Sequence, residues 1–172
     1  MINSVLDRLR FDSRFMKNVC AWETIRSREA RYKDFPDQLD SKLIAALRRR
    51  NFDSLFTHQT AAIAAALKGD HVAVVTGTAS GKTLCYNLPV LQTILAGPDA
   101  RALYLFPTKA LSQDQMEELH GLITTLGADI KTFTYDGDTP DDARQAIRKQ
   151  GHVVVTNPDM LHAGILPHHT KW

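Results

Sequence analysis

From residue 70 onward the sequence alternates between two kinds of segment, and this alternation limits the fold more than any single motif does. HVAVVT (71–76), RALYLFP (101–107), KTFTYD (131–136) and HVVVTN (152–157) are short runs rich in β-branched and aromatic residues, which read as strands. Between them KTLCYNLPVLQTIL (82–95), the stretch from about Lys109 to Leu126, and DDARQAIRKQ (141–150) carry helical spacing. Gly97 and Pro98 stop the first of these helices, and Gly127 stops the second. Pro89, inside the first, removes one backbone donor and bends it. Successive β-then-α units predict an α/β fold with a parallel sheet, because parallel neighbours need a crossover long enough to hold a helix.

The first strand runs straight into TGTASGKT (76–83), and that loop runs straight into a helix. This arrangement points backbone N–H groups and a helix N-terminus at a phosphate. The strict phosphate-loop pattern puts glycine where Thr76 stands. Thr76 and Ala79 are small enough not to block a ligand, provided their φ angles are negative. Gly77 and Gly81 leave the loop open to close approach. Lys82 suits the β- and γ-phosphates of ATP, and the Thr83 hydroxyl suits the Mg²⁺ that accompanies them. The candidate nucleotide-binding residues in this loop are therefore Thr76, Gly77, Thr78, Ala79, Ser80, Gly81, Lys82 and Thr83. A chance Gly-Lys-Thr is the competing reading, and the flanking strand and helix weigh against it.

The upstream part is less regular. In the first 35 residues Arg26, Arg28, Arg31 and Lys33 are interleaved with Trp22, Tyr32 and Phe35. A nucleic-acid surface is one reading. A solvated, partly helical extension whose aromatics pack on the next domain is the preferred one. After Pro36, Leu39, Leu43 and Leu47 form one apolar helix stripe, closed by Arg48, Arg49 and Arg50 at the negative end of the dipole. Thr57 reads as the N-cap of a helix through HQTAAIAAAL, stopped by Lys68 and Gly69.

Composition excludes several classes. A chain of 172 residues, 44% hydrophobic and 23% charged, suits one globular domain rather than a fibrous or disordered protein. The N-terminus has no uninterrupted apolar core, and AAIAAAL (61–67) is too short to cross a bilayer, so a cytoplasmic location is expected. Cys20 and Cys85 are far apart and in no Cys-x-x-Cys frame, so they read as two reduced thiols. His162, His168 and His169 have no Cys, Asp or Glu beside them at ligand spacing and read as ordinary histidines. His58 is expected to pack or cap. A net charge of +2 does not announce a nucleic-acid partner, so that role must rest on local features.

Five segments taken together resemble a known family. TGTASGKT is similar to motif I of the superfamily 2 helicases, LFPTKALSQDQ (105–115) to motif Ia, and THQ (57–59) to their glutamine motif. YDGDT (135–139) is similar to the glycine motif, and VVVTNPDMLH (153–162) to the Thr-Pro motif, with Asn157 inserted before Pro158. With GILPHH near the end, the wording is closest to the DEAD/DEAH-like DNA helicases of the large-helicase-related and mitomycin-repair branch. The resemblance implies a P-loop NTPase fold, a RecA-like parallel sheet with helices on both faces. It divides the chain into an N-terminal extension (1–35) and part of a first RecA-like domain (36–172). It also implies that Gln59 reads the adenine edge, for which an amide with a donor and an acceptor is suited. Pro107, Thr108, Lys109, Gly137 and Thr156, at the carboxyl ends of parallel strands, would touch the phosphates of single-stranded DNA.

Hydrolysis in such proteins needs an acidic pair after a buried apolar strand. VVVT ends in threonine, and Asp136 is followed by glycine. The resemblance puts the acidic motif shortly after Trp172. The expectation is therefore the ATP- and nucleic-acid-binding front part of an ATP-dependent DNA helicase, plausible in DNA repair. No catalytic residue is expected within the chain, and the chain alone is expected to be inactive. An RNA helicase, and a non-catalytic nucleotide- and nucleic-acid-binding remnant, are the alternatives.

Overall fold

The computed structural model describes residues 2–25 and 29–172, so Arg26 and Arg28 of the basic N-terminal stretch lie outside the described residues. The chain forms two compact units, Met1–Ala30 and Arg31–Trp172. The second unit thus begins before Pro36, and it includes Tyr32 and Phe35.

In the first unit, α1 (Ile2–Phe11) and α2 (Ser13–Met16) are separated by Asp12, whose carboxylate accepts from the N–H groups of Arg14 (2.8 Å) and Phe15 (3.2 Å). Neither helix contains a buried residue. Trp22 holds the Arg10 guanidinium 4.8 Å from its ring centroid, a cation–π contact inside this unit.

The second unit opens with β1 (Tyr32–Lys33), paired antiparallel with β2 (Leu55–Phe56). Between them α3 (Ser41–Arg49) is capped by Asp40, which accepts from Lys42 N–H at 2.7 Å. The predicted stripe of Leu39, Leu43 and Leu47 is buried. Arg50 does more than end the helix, because its Nη2 pairs with Glu118 at 2.9 Å. Helix α4 (Thr57–Leu67) follows β2 without a break, so Thr57 is its first residue and Phe56 occupies the cap position expected of Thr57.

The remaining elements are α5 (Lys82–Ala96), β3 (Ala102–Leu105), α6 (Lys109–Leu126), β4 (Thr132–Thr134), α7 (Asp141–Gln150), β5 (Val153–Thr156) and α8 (Pro158–Met160). A π-helical turn (Leu161–Ile165) and a 3₁₀ stretch (Leu166–Lys171) close the chain. Helix α5 runs through Pro89, and the Thr93 hydroxyl donates to the Pro89 carbonyl at 2.8 Å.

Strands β3, β5 and β4 form one parallel sheet in that order, with Leu103 beside Val154 and Phe133 on its other side. Side chains alternate across a strand, and β5 shows it. Val153 and Val155 join the main core with Leu88, Leu91, Leu119 and Leu122. Val154 joins a smaller cluster with Tyr135, Ile147 and Ile165. Helices therefore cover both faces, and all four residues of β5 are buried. Leucines buried this completely contribute roughly 1.5–3 kcal/mol each.

One expected strand is absent from the sheet. HVAVVT (71–76) makes no ladder, and Val75 is 94% exposed. Its β-branched composition favours extended backbone, but no described strand lies beside it to exchange hydrogen bonds. The expectation of a strand running into the phosphate loop is corrected accordingly.

Candidate nucleotide and nucleic-acid site

Gly81 ends the loop with φ +72° and gives way to Lys82, the first residue of α5. A left-handed residue here turns the chain from loop to helix, and glycine takes it without steric cost. Ala79 is also left-handed, at φ +59°, so the condition that its φ be negative is not met. An alanine there stores about 1–2 kcal/mol of strain.

The loop is closed on itself. The Thr76 and Ser80 hydroxyls are 2.6 Å apart. Lys82 Nζ donates to the carbonyls of Gly77 (2.6 Å) and Thr76 (3.1 Å), and lies 3.4 Å from Ser80 Oγ. The ammonium is thus held by backbone and side-chain acceptors of its own loop. Thr78 is exposed at the loop's rim. The Thr83 hydroxyl donates to Gln115 Oε1 at 3.1 Å, an acceptor it shares with the Tyr86 hydroxyl.

Gln59 ties this loop to α4. It is 3% exposed, its Oε1 accepts from Phe56 N–H at 2.8 Å, and its Nε2 donates to the Gly81 carbonyl at 2.8 Å. Both ends of the amide expected to face adenine are therefore engaged with backbone. His58 Nε2 donates to the Ser80 carbonyl at 3.0 Å, and its ring stacks on Phe56, which in turn stacks on Tyr32 with centroids 5.0 Å apart. A cavity of about 670 Å³ is walled by Phe56, Gln59, Ala79, Gly81 and Thr83. A second, of about 810 Å³ and mostly apolar, lies on the other side of Lys82 and Thr83 against Val72, Val74 and Phe106. The sequence gives no signal for the Ser80 partner of His58 or for the roles of Tyr32 and Gln115, which depend on pairings across the fold.

The strand-end residues divide into two groups. Thr108 caps α6, accepting from Leu111 N–H at 3.3 Å, and Pro107, Thr108 and Lys109 are all exposed. Lys109 Nζ is bonded to Asp138 and is 3.7 Å from Asp136, which brings it to the loop that holds Gly137. Gly137 faces open space. Thr156 is different. It is buried, and its hydroxyl has no hydrogen-bond partner. Asp138 holds the Lys109 amine above its ordinary range, and Lys109 holds the Asp138 carboxyl below its own. Among the described residues no group of three or more His, Cys, Asp or Glu is gathered for a metal, and no helix is long and apolar enough to cross a membrane.

A Gly-Lys-Thr turn opening a helix, in a unit whose parallel sheet carries helices on both faces, defines a RecA-like P-loop α/β domain. Residues 56–172 match the DEAD/DEAH box helicase family, and the chain belongs to it. It is similar to the uncharacterized ATP-dependent helicase YprA of Bacillus subtilis (strain 168), 55% identical over 97% of this chain and 22% of that protein. Among solved structures, the DUF1998 helicase MrfA bound to DNA superposes with a TM-score of 0.91 at 52% identity, covering 100% of this chain and 24% of that one. MrfA bound to DNA and AMPPNP gives 0.90 at 53% identity, over 99% and 23%. The chain thus spans less than a quarter of the length of these relatives.

Proposed function

We propose that this chain is the part of an ATP-dependent DNA helicase that holds MgATP and one side of a DNA strand, the whole protein driving translocation on DNA and serving repair. The observation that carries the reading is the placement of Lys82 and Thr83 as the first two residues of a 15-residue helix, directly after a left-handed Gly81. The fit to a nucleotide is good on three counts. A Cβ at Gly81 would stand 2.5 Å from Gln59 Nε2 and would displace the amide that holds the loop, so glycine there keeps the loop in place. The Lys82 ammonium already sits among the loop carbonyls, from which it can turn to a phosphate. The Thr83 hydroxyl, now bonded to Gln115, is the group of this chain that would ligate the metal.

When bound, MgATP supplies the phosphoanhydride whose cleavage drives movement. The chain's own residues would hold and orient it: Lys82 would neutralise the outer phosphates, Thr83 would ligate the metal, and Gln59 fixes the loop. DNA is favoured as the strand because the MrfA structures superposing on this chain contain DNA. Thr108, Lys109 and Gly137 would contact its phosphates, an arrangement that gives weak sequence preference and steep salt dependence.

Titration of the 172-residue chain with a fluorescent ATP analogue and Mg²⁺ tests the nucleotide reading. Lys82→Ala is expected to weaken binding by about 10-fold or more, the worth of a charge-assisted contact. Phosphate release by residues 1–172 is expected to be undetectable. Turnover that survives Lys82→Ala would show the loop misread, and turnover that depends on Lys82 would assign the work to an acid already present, Asp136 first.

A further inference from the structure

Beyond β4, on the face of the sheet that carries the smaller core cluster, a cavity of about 310 Å³ is walled by Tyr135, Arg144, Arg148, His168 and Lys171, with Asp141 at its edge. Three permanent cations face one carboxylate, and the pairing is weak: Asp141 is fully exposed and its Oδ1 is 3.8 Å from Arg144 Nη1. The side chains of Arg148, His168 and Lys171 have no hydrogen-bond or ion-pair partner among the described residues. Arg148 is only partly exposed. Its guanidinium, with five donors and no hydrogen-bond or ion-pair partner among the described residues, is free to take an anion.

The wall is built rather than loose. Arg144 is held by its Nε donating to the Thr139 carbonyl at 2.9 Å, and its guanidinium lies 5.5 Å from the Tyr135 ring centroid. Tyr135 is buried and met edge-on by Trp172 at 4.9 Å. Thr139 belongs to the loop that holds Gly137, one of the strand-end contacts, and its hydroxyl exchanges hydrogen bonds with Asp136. One wall of the cavity, Arg144, is therefore tied by hydrogen bond to the loop that holds Gly137.

We propose that this cavity binds a phosphodiester of the same nucleic-acid strand, extending the contact path past Gly137 to α7 and the 3₁₀ stretch. The proposal rests on the nucleic-acid reading of the strand-end residues. Arg148 and Lys171 supply the unpaired cations, and Arg144, oriented by Thr139 and Tyr135, supplies a planar fork suited to phosphate oxygens. The contact carries no base information and adds to affinity for all sequences alike.

The test is fluorescence anisotropy of a labelled single-stranded oligodeoxynucleotide with the full 172-residue chain across a salt series. Arg148→Gln and Lys171→Gln are each expected to weaken binding severalfold and to flatten the slope of log K against log salt by about 0.7 for each phosphate no longer neutralised. Lys149→Gln, the same charge change on the same helix outside the cavity, is expected to leave affinity and slope near wild type. Equal losses in all three variants would reduce the effect to net charge and overturn the site. Lys171 is exposed, so Lys171→Gln keeps the test valid if Arg148→Gln fails to fold, as checked by circular dichroism. Inorganic phosphate forms the second arm: saturable binding lost in Lys171→Gln, with oligonucleotide affinity unchanged, would assign the cavity to free phosphate and overturn the proposal. Lys109→Gln separates the two readings. Loss of oligonucleotide binding in that variant alone leaves the strand-end path standing and removes the cavity. Wild-type binding in all variants, or no binding by the wild type at low salt, removes both.

Discussion

The side-chain amide of Gln59 donates to the Gly81 carbonyl at 2.8 Å, and the same nitrogen stands 2.5 Å from where any Cβ on Gly81 would be. One contact thus joins the start of α4 to the start of α5, and a side chain at the junction would have to displace the Gln59 amide. Gly81→Ala is expected to suffer twice, from a displaced Gln59 and from a left-handed φ of +72° that costs an L-residue about 1–2 kcal/mol. Chemical denaturation should show a loss of about 2 kcal/mol or more, with nucleotide binding lost alongside. Wild-type stability in this variant would mean that Gln59 does not hold the loop.

Ala79 offers the opposite substitution. At φ +59° it is strained, so Ala79→Gly is expected to be neutral or to gain up to about 1 kcal/mol, the relief of strain offset in part by the greater freedom of glycine when unfolded. Ala79→Val should lose stability, because a β-branched residue is a genuine outlier there. Thermal melts should place Ala79→Gly at or above wild type and Ala79→Val below it. A shift of the same sign in both would rule out backbone strain as the cause.

Thr156 is 4% exposed with a partnerless hydroxyl at the end of a fully buried strand. Replacing that hydroxyl by a methyl group of the same shape removes an unmade hydrogen bond, so Thr156→Val is expected to gain about 1 kcal/mol in urea unfolding at unchanged m-value. A loss of that size would show that the hydroxyl has a partner in solution.

Lys109 is held by Asp138 and Asp136, two carboxylates that would compete with a phosphate for the same ammonium. Asp138→Asn is expected to raise affinity for single-stranded DNA severalfold at low salt, and the gain should shrink as salt rises, because the pair is exposed and screened. The pH dependence follows from the signs. The carboxyl is lowered from 3.8 and the amine is raised from 10.5, so the pair stays ionised across neutral pH. Its contribution is lost only as pH falls through the lowered carboxyl value or rises through the raised amine value. Affinity that changes sharply between about pH 6 and 8 would implicate a histidine instead.

Much of this fold can be read from spacing alone. Lys109–Leu126 is a helix from the residue after Thr108 to the residue before Gly127, because a hydroxyl cap and a left-handed glycine mark its two ends locally. Residues 71–76 show the limit of such reading, since propensity favours extended backbone but a strand also needs a neighbour. Strands β1 and β2 are two residues each and carry no period to detect. At the site, Lys82 and Thr83 are evident from the motif. The ties of Gln59, His58 and Gln115 join residues 22 to 32 positions apart, beyond any local pattern. The same holds for the basic cavity, whose Arg144 and Arg148 are one turn apart on α7 while Lys171 comes from the far end of the chain.

The sheet order β3-β5-β4 also has a consequence for how the chain is made. The middle strand is the last of the three to be synthesised, so β3 and β4 leave the ribosome with nothing to pair against. From Leu105 to Thr156 is 156 − 105 = 51 residues, about 3–10 s of translation at roughly 5–20 residues per second. Through that interval Leu103 and Leu105 sit on an unpaired edge, and nascent chains arrested before residue 153 should be cut readily by protease where chains extended past 156 resist. The timing of translation, not only the stability of the finished sheet, then sets how long these apolar edge residues stay exposed.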